Sequence, residues 1–365
     1  MKNLLLIIVL ILITPSCIQP ESPSIIGELD KLIIDCKEKN NIPGIGFGIS
    51  FQNGEIIEKY YGYANLEHDA PVEKNSIFAI GSITKTLTAI AILNLYEENK
   101  LNLTDTLTKF FPEFPNSNLI TINELLNHSS GLKDIFEVPE IIEHLYHPWQ
   151  PTQMIDIMSN YPSNFKPGER SVYNNTAYIL LGMIIERVSG RSYTDYLEGS
   201  ILNPLNMNNT RLANNVKIIK NRTSGYIVSD GELLNAPYID ISSVYSTGGY
   251  FSTIEDMLKL KEVFKGIKIL NKETAKLMLT PDTKEGLARF QTEFKNGKTF
   301  FGYGNEIIKT DNEAIIGKLG GMIGYTAYYC YLKDEDIYFT ILFNLGDQNS
   351  KILNLSQEII SFLRL

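Results

Sequence analysis

The sequence predicts a mixed α/β (α+β) fold: an antiparallel sheet flanked by the two terminal helices, with a mostly helical lobe over residues 85–245. Three observations carry this. Residues 24–63 read as a helix followed by two strands. The middle of the chain is dominated by helix-period apolar patterning broken at Pro and Gly. From about residue 285 the pattern turns to strands, and a helix closes the chain.

The elements follow in order. Residues 24–40 place Ile25, Leu29, Leu32, Ile33 and Cys36 at helical spacing. Residues 44–51 read as a strand, Asn53-Gly54 as a hairpin turn, and residues 55–63 as the returning strand. Residues 64–75 read as loop, with His68 as a solvated side chain among acidic neighbours. Gly81-Ser82 opens an apolar helix that runs through Leu95. Thr121 and Glu124 have the spacing of a capping box. His144 and His147 are three apart, but no carboxylate pattern of a zinc site accompanies them, so no metal is expected. A helix follows Tyr173-Asn174-Asn175 and ends before Gly190, and another short helix stops at Pro204. Tyr245 to Tyr250 reads as a glycine-punctuated turn, and residues 253–264 as helix. Strands are expected over 300–308, 315–319, 325–332 and 337–344, with 333–336 as a charged hairpin tip, and a helix over 350–363.

Composition narrows the function classes. The chain has 365 residues, 44% apolar and 21% charged, which describes a globular protein with room for a large core. A net charge of −9 and the lack of a long basic run argue against a nucleic-acid backbone as partner. Lys2 precedes ten unbroken apolar residues from Leu4 to Ile13, which is too short for a membrane span and suits a signal-peptide core. The run ends in Thr14-Pro15-Ser16-Cys17. The expected organisation is a signal peptide over 1–16, a tether over 17–23 and one domain over 24–365. Cys36 and Cys330 read as two buried thiols.

The chemistry centres on Ser82 and Lys85. Three residues apart on a helix, their heads share a face. A serine hydroxyl is a weak nucleophile until a base takes its proton, and a nearby amine can do so. The same Ser-x-x-Lys spacing recurs at Ser130/Lys133 and Ser163/Lys166, but loop signals follow those two. The alternative reading of Ser82 is a helix N-cap. Tyr-x-Asn likewise occurs three times, at 63–65, 173–175 and 303–305, and Lys-x-Gly at 166–168, 284–286 and 318–320. Only the ordered set Ser82, Tyr173, Lys318 has helix, loop and strand contexts that fit one acyl-transfer site. No Gly-x-Ser-x-Gly elbow and no Walker loop occur, which argues against an α/β-hydrolase and a nucleotide-binding loop.

These motifs resemble the serine β-lactamases and penicillin-binding proteins, most of all the class C branch with its D-alanyl carboxypeptidase and esterase members. The matching stretches are Gly81-Ser82-Ile83-Thr84-Lys85, Leu125 to Leu132, Pro167-Gly168 leading to Tyr173-Asn174-Asn175, Leu181 to Glu186, Gly248-Gly249, and Lys318-Leu319-Gly320-Gly321. The resemblance implies catalytic roles for Ser82, Lys85 and Tyr173, with Tyr173 as a shared acid and base whose pKa two ammonium groups would lower. It implies substrate binding by Asn175, Lys318, Gly320 and Gly321, with an oxyanion hole from the backbone N–H groups of Ser82 and Gly321. It implies no cofactor and a small-molecule or peptide substrate: β-lactams or D-alanyl peptides, with a carboxylesterase or a non-turnover penicillin-binding sensor as alternatives. Cys17 resembles the lipidated first residue of bacterial lipoproteins, so an exported monomer is expected, touching the membrane only through that anchor. Leu319 departs from the pattern, since a hydroxyl residue is usual there, and Asn206 stands where Gly is usual.

Overall fold

The computed structural model describes residues 25–282, 286–287, 297–309 and 314–364. The proposed signal peptide, the tether and Cys17 lie outside the described residues, as do Lys284 and Glu285 of one Lys-x-Gly stretch.

Eight strands form one sheet: β1 (Gly44–Ser50), β2 (Ile56–Asn65), β3 (Ala70–Pro71), β4 (Lys298–Phe301), β5 (Glu306–Lys309), β6 (Ala314–Met322), β7 (Tyr325–Leu332) and β8 (Ile337–Phe343). Their spatial order is β4-β5-β6-β7-β8-β1-β2-β3, so the chain ends meet where β8 pairs with β1. Every neighbouring pair is antiparallel. Helices α1 (Ile25–Lys39) and α4 (Asn349–Leu363) pack together on one face. The opposite face carries the lobe, whose two central helices are α2 (Thr84–Glu97) and α3 (Asn175–Ser189).

The two-residue period of a strand separates the two cores. Along β7, Tyr328, Cys330 and Leu332 join the cluster beneath the terminal helices, while Ala327, Tyr329 and Tyr331 join the lobe core. On β1, Ile45, Phe47 and Ile49 face the terminal helices. Between them, a side chain at Gly46 or Gly48 would collide with Ile254 at 2.9 or 2.5 Å, so the alternating glycines let the helix at Ile254–Leu258 rest directly on the sheet. Nearly all of α2 and the first eleven residues of α3 are buried, so neither helix needs a polar face. The lobe core is built around this pair.

Several expectations are corrected. Ser82 sits in a 3₁₀ turn, Gly81–Ile83, and α2 begins at Thr84; no side chain caps either element. The single strand expected over 300–308 is two, β4 and β5, because the chain turns at Gly302–Asn305. The turn expected at 245–250 is a short helix, Tyr245–Gly248, leading into a strand, Tyr250–Ser252. The loop over 64–75 contributes β3, and a hairpin of Tyr226–Ser229 and Glu232–Asn235 interrupts the helical lobe. The helix over 253–264 is two short helices. Thr121 and Glu124 do form a capping box, and Cys36 and Cys330 are buried without a disulfide.

Candidate active site

The turn that presents Ser82 is held against the end of β6. Gly81 has φ +49°, and a side chain there would strike the Gly321 backbone at 2.6 Å. A side chain at Gly320 would lie 2.1 Å from the Ile80 carbonyl. Only paired glycines allow this approach, which sets the Gly321 backbone beside Ser82. Space beyond Gly321 is open, and the residue is exposed.

Lys85 is wholly buried one turn behind Ser82. Its Nζ donates to Ser82 Oγ at 3.3 Å and to the Thr247 carbonyl at 2.9 Å. Helix α2 is locked in place by its threonines: Thr86 Oγ1 donates to the Gly304 carbonyl at 2.8 Å, and Thr88 Oγ1 to the Ser246 carbonyl at 2.8 Å. The helix at Tyr245–Gly248 therefore both fixes α2 and anchors the lysine head.

Tyr173 lies between the side-chain heads of two lysines. Lys85 Nζ is 4.9 Å from its ring centroid and Lys318 Nζ is 4.6 Å away. Lys318 is wholly buried on β6, and Glu306 of β5 accepts from its Nζ at 3.1 Å. The Tyr173 hydroxyl is buried and makes no hydrogen bond of standard geometry among the described residues. Its pKa is pushed well above the ordinary tyrosine value, chiefly by burial, against an opposing hydrogen-bonding effect of Ser82. This corrects the expected lowering: burial, joined by the charges of Glu306 and Asp134, keeps the resting phenol neutral. Burial also lowers the pKa of Lys318, with Glu306 resisting.

Asn175 opens α3 behind Tyr173, while its neighbour Asn174 is the cap, accepting from the Ala177 N–H at 2.8 Å. The Asn175 backbone N–H and Nδ2 both donate to Asp134 Oδ2, at 2.6 and 2.9 Å. Its amide oxygen is thereby the end turned away from Asp134. His128 is buried against the Tyr173, Tyr178 and Phe301 rings at 4.7–5.0 Å, and its Nδ1 accepts from the Asn174 N–H. Burial, then Lys318 and Lys85, holds its pKa well below the ordinary histidine value, so it is a neutral platform for the tyrosine loop.

The structure thus brings Ser82, Lys85, Tyr173, Lys318, Gly320 and Gly321 to one place, with Asn175 adjacent on the tyrosine loop. A cavity of about 570 Å³ opens over them; Ser82, Tyr173, Leu319, Gly321 and Glu306 all line it. Leu319 reaches the cavity while packing into the core under the terminal helices. The competing motifs are elsewhere. Lys133 pairs with Glu137, Ser163 accepts from Asn116, and Tyr303 donates to Asn123. His144 and His147 stack on each other, 5.8 Å apart, in an exposed stretch. Sequence reasoning missed Glu306, Asp134 and the Thr247 carbonyl. Glu306 alone had a visible signal, a lone acid in an otherwise apolar strand pattern.

Comparison with known proteins identifies the family and the fold. The Beta-lactamase family model matches residues 29–358. Penicillin-binding protein 4* of Bacillus subtilis is 27% identical over 304 residues, covering 77% of this chain and 64% of the relative. The putative penicillin-binding protein PbpX of the same organism is 30% identical over 250 residues, covering 67% of this chain and 62% of the relative. The chain therefore spans less than two thirds of the length of these curated relatives. The solved octameric penicillin-binding protein homologue of Pyrococcus abyssi superposes with a TM-score of 0.77 at 29% identity, covering 92% of this chain and 77% of that one. The D-amino acid amidase of Ochrobactrum anthropi SV3 gives 0.80 at 23% identity, covering 93% and 100%, a likeness of fold. With this match along nearly its whole described length, the chain belongs to the β-lactamase family, alongside penicillin-binding protein homologues.

Proposed function

We propose that the protein is a serine acyl-hydrolase working through an acyl-enzyme on Ser82. The observation that carries this reading is the 3.3 Å contact between Lys85 Nζ and Ser82 Oγ at the floor of a cavity that Tyr173 also lines. Lys85, as the free amine, accepts the Ser82 proton while Oγ bonds to the substrate carbonyl carbon. The backbone N–H groups of Ser82 and Gly321 stabilise the oxyanion. Tyr173, a neutral phenol at rest, hands a proton to the leaving alcohol or amine and is reprotonated from Lys85. Water then attacks the acyl ester, gives one proton to the Ser82 oxygen through the same groups, and releases the acid. The amide oxygen of Asn175 is placed to accept from Lys85 or from a substrate N–H. Lys318, held by Glu306, supplies positive potential beside Tyr173.

Penicillin-binding relatives and the amidase neighbour support amides, including D-alanyl peptides and β-lactams, as substrates, and small esters need the same machinery. A fluorophosphonate probe tests the nucleophile. It is expected to label the protein once per chain, and Ser82→Ala to abolish labelling. Labelling that persists in Ser82→Ala overturns the assignment.

A further inference from the structure

The loop that carries Tyr173 is cradled by residues 128–136. The His128 carbonyl accepts from the Val172 N–H at 2.9 Å, and His128 Nδ1 accepts from the Asn174 N–H at 3.1 Å. Asn174 Nδ2 donates to the Leu132 carbonyl and Thr176 Oγ1 to the Lys133 carbonyl, each at 2.7 Å. These bonds hold the loop at 172, 174 and 176, on both sides of Asn175. None of them uses the Asp134 side chain.

Asp134, only 8% exposed, makes a different set of contacts. Its Oδ1 accepts from the Phe136 N–H at 2.8 Å and caps the 3₁₀ turn Ile135–Glu137, whose Phe136 lines the cavity over Ser82. Its Oδ2 accepts from the Asn175 N–H at 2.6 Å and from Asn175 Nδ2 at 2.9 Å; Nδ2 is also 3.2 Å from Oδ1. The two ends of a primary amide are alike in size and shape, so their partners decide which end faces which way. Two carboxylate oxygens that together take three N–H groups offer Asn175 acceptors alone. The NH2 end is therefore drawn to Asp134, and the oxygen is left pointing away from it. Without Asp134 the other bonds still hold the loop backbone, and only the Asn175 amide is released to turn over.

We propose that Asp134 is a positioning residue that orients the Asn175 amide, so that its oxygen is presented to Lys85 and the substrate. This rests on the acyl-transfer reading of Ser82 and adds no step to it. A turned amide would present a donor where the reaction needs an acceptor.

A double-variant cycle tests this, with the full chain and N-acetyl-D-alanyl p-nitrophenyl ester, whose N–H and ester carbonyl together engage either role of Asn175. Asp134→Ser leaves a hydroxyl that can cap the turn at Phe136 but takes the acceptor from Asn175. With kcat/KM referred to the folded fraction seen by circular dichroism, Asp134→Ser is expected to lower it about 10- to 100-fold. Asn175→Ala should lower it at least as far. The double variant should fall within about twofold of Asn175→Ala alone, because the group through which Asp134 acts is already gone. Asp134→Asn, which preserves the volume and offers one acceptor in place of two, repeats the cycle should the serine variant fail to fold. A double variant whose loss is the product of the two single losses assigns Asp134 a structural role and overturns the proposal, as does an Asp134→Ser protein within about twofold of wild type. Fluorophosphonate labelling of the wild type separates the two claims. Ser82 labelled with multiplying losses refutes the role of Asp134 alone, whereas no labelling of Ser82 refutes the acyl-transfer reading and this proposal with it.

Discussion

Replacing Glu306 by Gln tests the electrostatics under the site. The Glu306–Lys318 contact is 3.1 Å, with the lysine side chain fully buried and the glutamate 11% exposed. At an effective dielectric of about 20, that separation corresponds to about 5 kcal/mol of attraction. Much of it offsets the cost of burying the ammonium, so Glu306→Gln leaves a buried cation with no counter-charge and is expected to cost about 3–5 kcal/mol at pH 7. The pH dependence has a definite sign. The folded pKa of Lys318 is already lowered, because burial outweighs Glu306. Wherever pH lies between the folded and unfolded pKa, the unfolded chain binds more protons and stability rises with pH. Removing Glu306 lowers the folded pKa further. The variant's deficit is then full below its new, lower lysine pKa and shrinks as pH rises toward that of the wild type. Urea denaturation of wild type, Glu306→Gln, Lys318→Met and the double variant at pH 7 and pH 9.5 measures this. The double variant should recover much of the loss, since no charge is left unpaired. A deficit below about 1 kcal/mol at pH 7, or one independent of pH, refutes the buried-pair account.

Gly320→Ala, whose methyl group would meet the Ile80 carbonyl, is expected to lower kcat by at least ~10-fold and stability by about 2 kcal/mol, whereas Gly321→Ala faces open space and should unfold in urea like the wild type. Tyr173→Phe keeps the ring between the two lysines but removes the proton carrier, so kcat should fall about 10²–10⁴-fold in steady-state assays with little change in thermal stability. A direct ultraviolet titration should show no phenolate from Tyr173 near pH 9, because burial raises its pKa. Lipid attachment at Cys17 predicts incorporation of labelled palmitate in bacterial cells, lost in Cys17→Ala; incorporation that persists places the anchor elsewhere.

Much of the fold was legible because its signals are local. The Asn53-Gly54 turn, the Thr121–Glu124 capping box and the apolar strand runs of β7 and β8 depend on neighbouring residues alone. The β4–β5 hairpin was not legible, because Phe300 to Ile308 is apolar enough to read as one strand and the turn at Gly302–Asn305 is set by packing against Met278 and α2. That miss concealed Glu306, whose role appears only when β5 is laid beside β6. The site itself was found through spacing at Ser82 and Lys85 and through the order of Tyr173 and Lys318. Each motif recurs three times, and spacing alone could not separate Ser82 from Ser130. Only the fold does so, by bringing β6 against the Gly81 turn across more than two hundred residues. The protonation of Tyr173 was misjudged for a related reason: neighbouring charge can be guessed from sequence, whereas the depth of burial cannot.

The most direct test of the hydroxyl–amine pairing at Ser82 and Lys85 is mass spectrometry of protein quenched in acid during turnover of a p-nitrophenyl ester. The account predicts a covalent acyl increment confined to the peptide bearing Ser82, which lingers when Tyr173→Phe slows its hydrolysis. An increment on any other residue, or turnover with no covalent species in either protein, contradicts it.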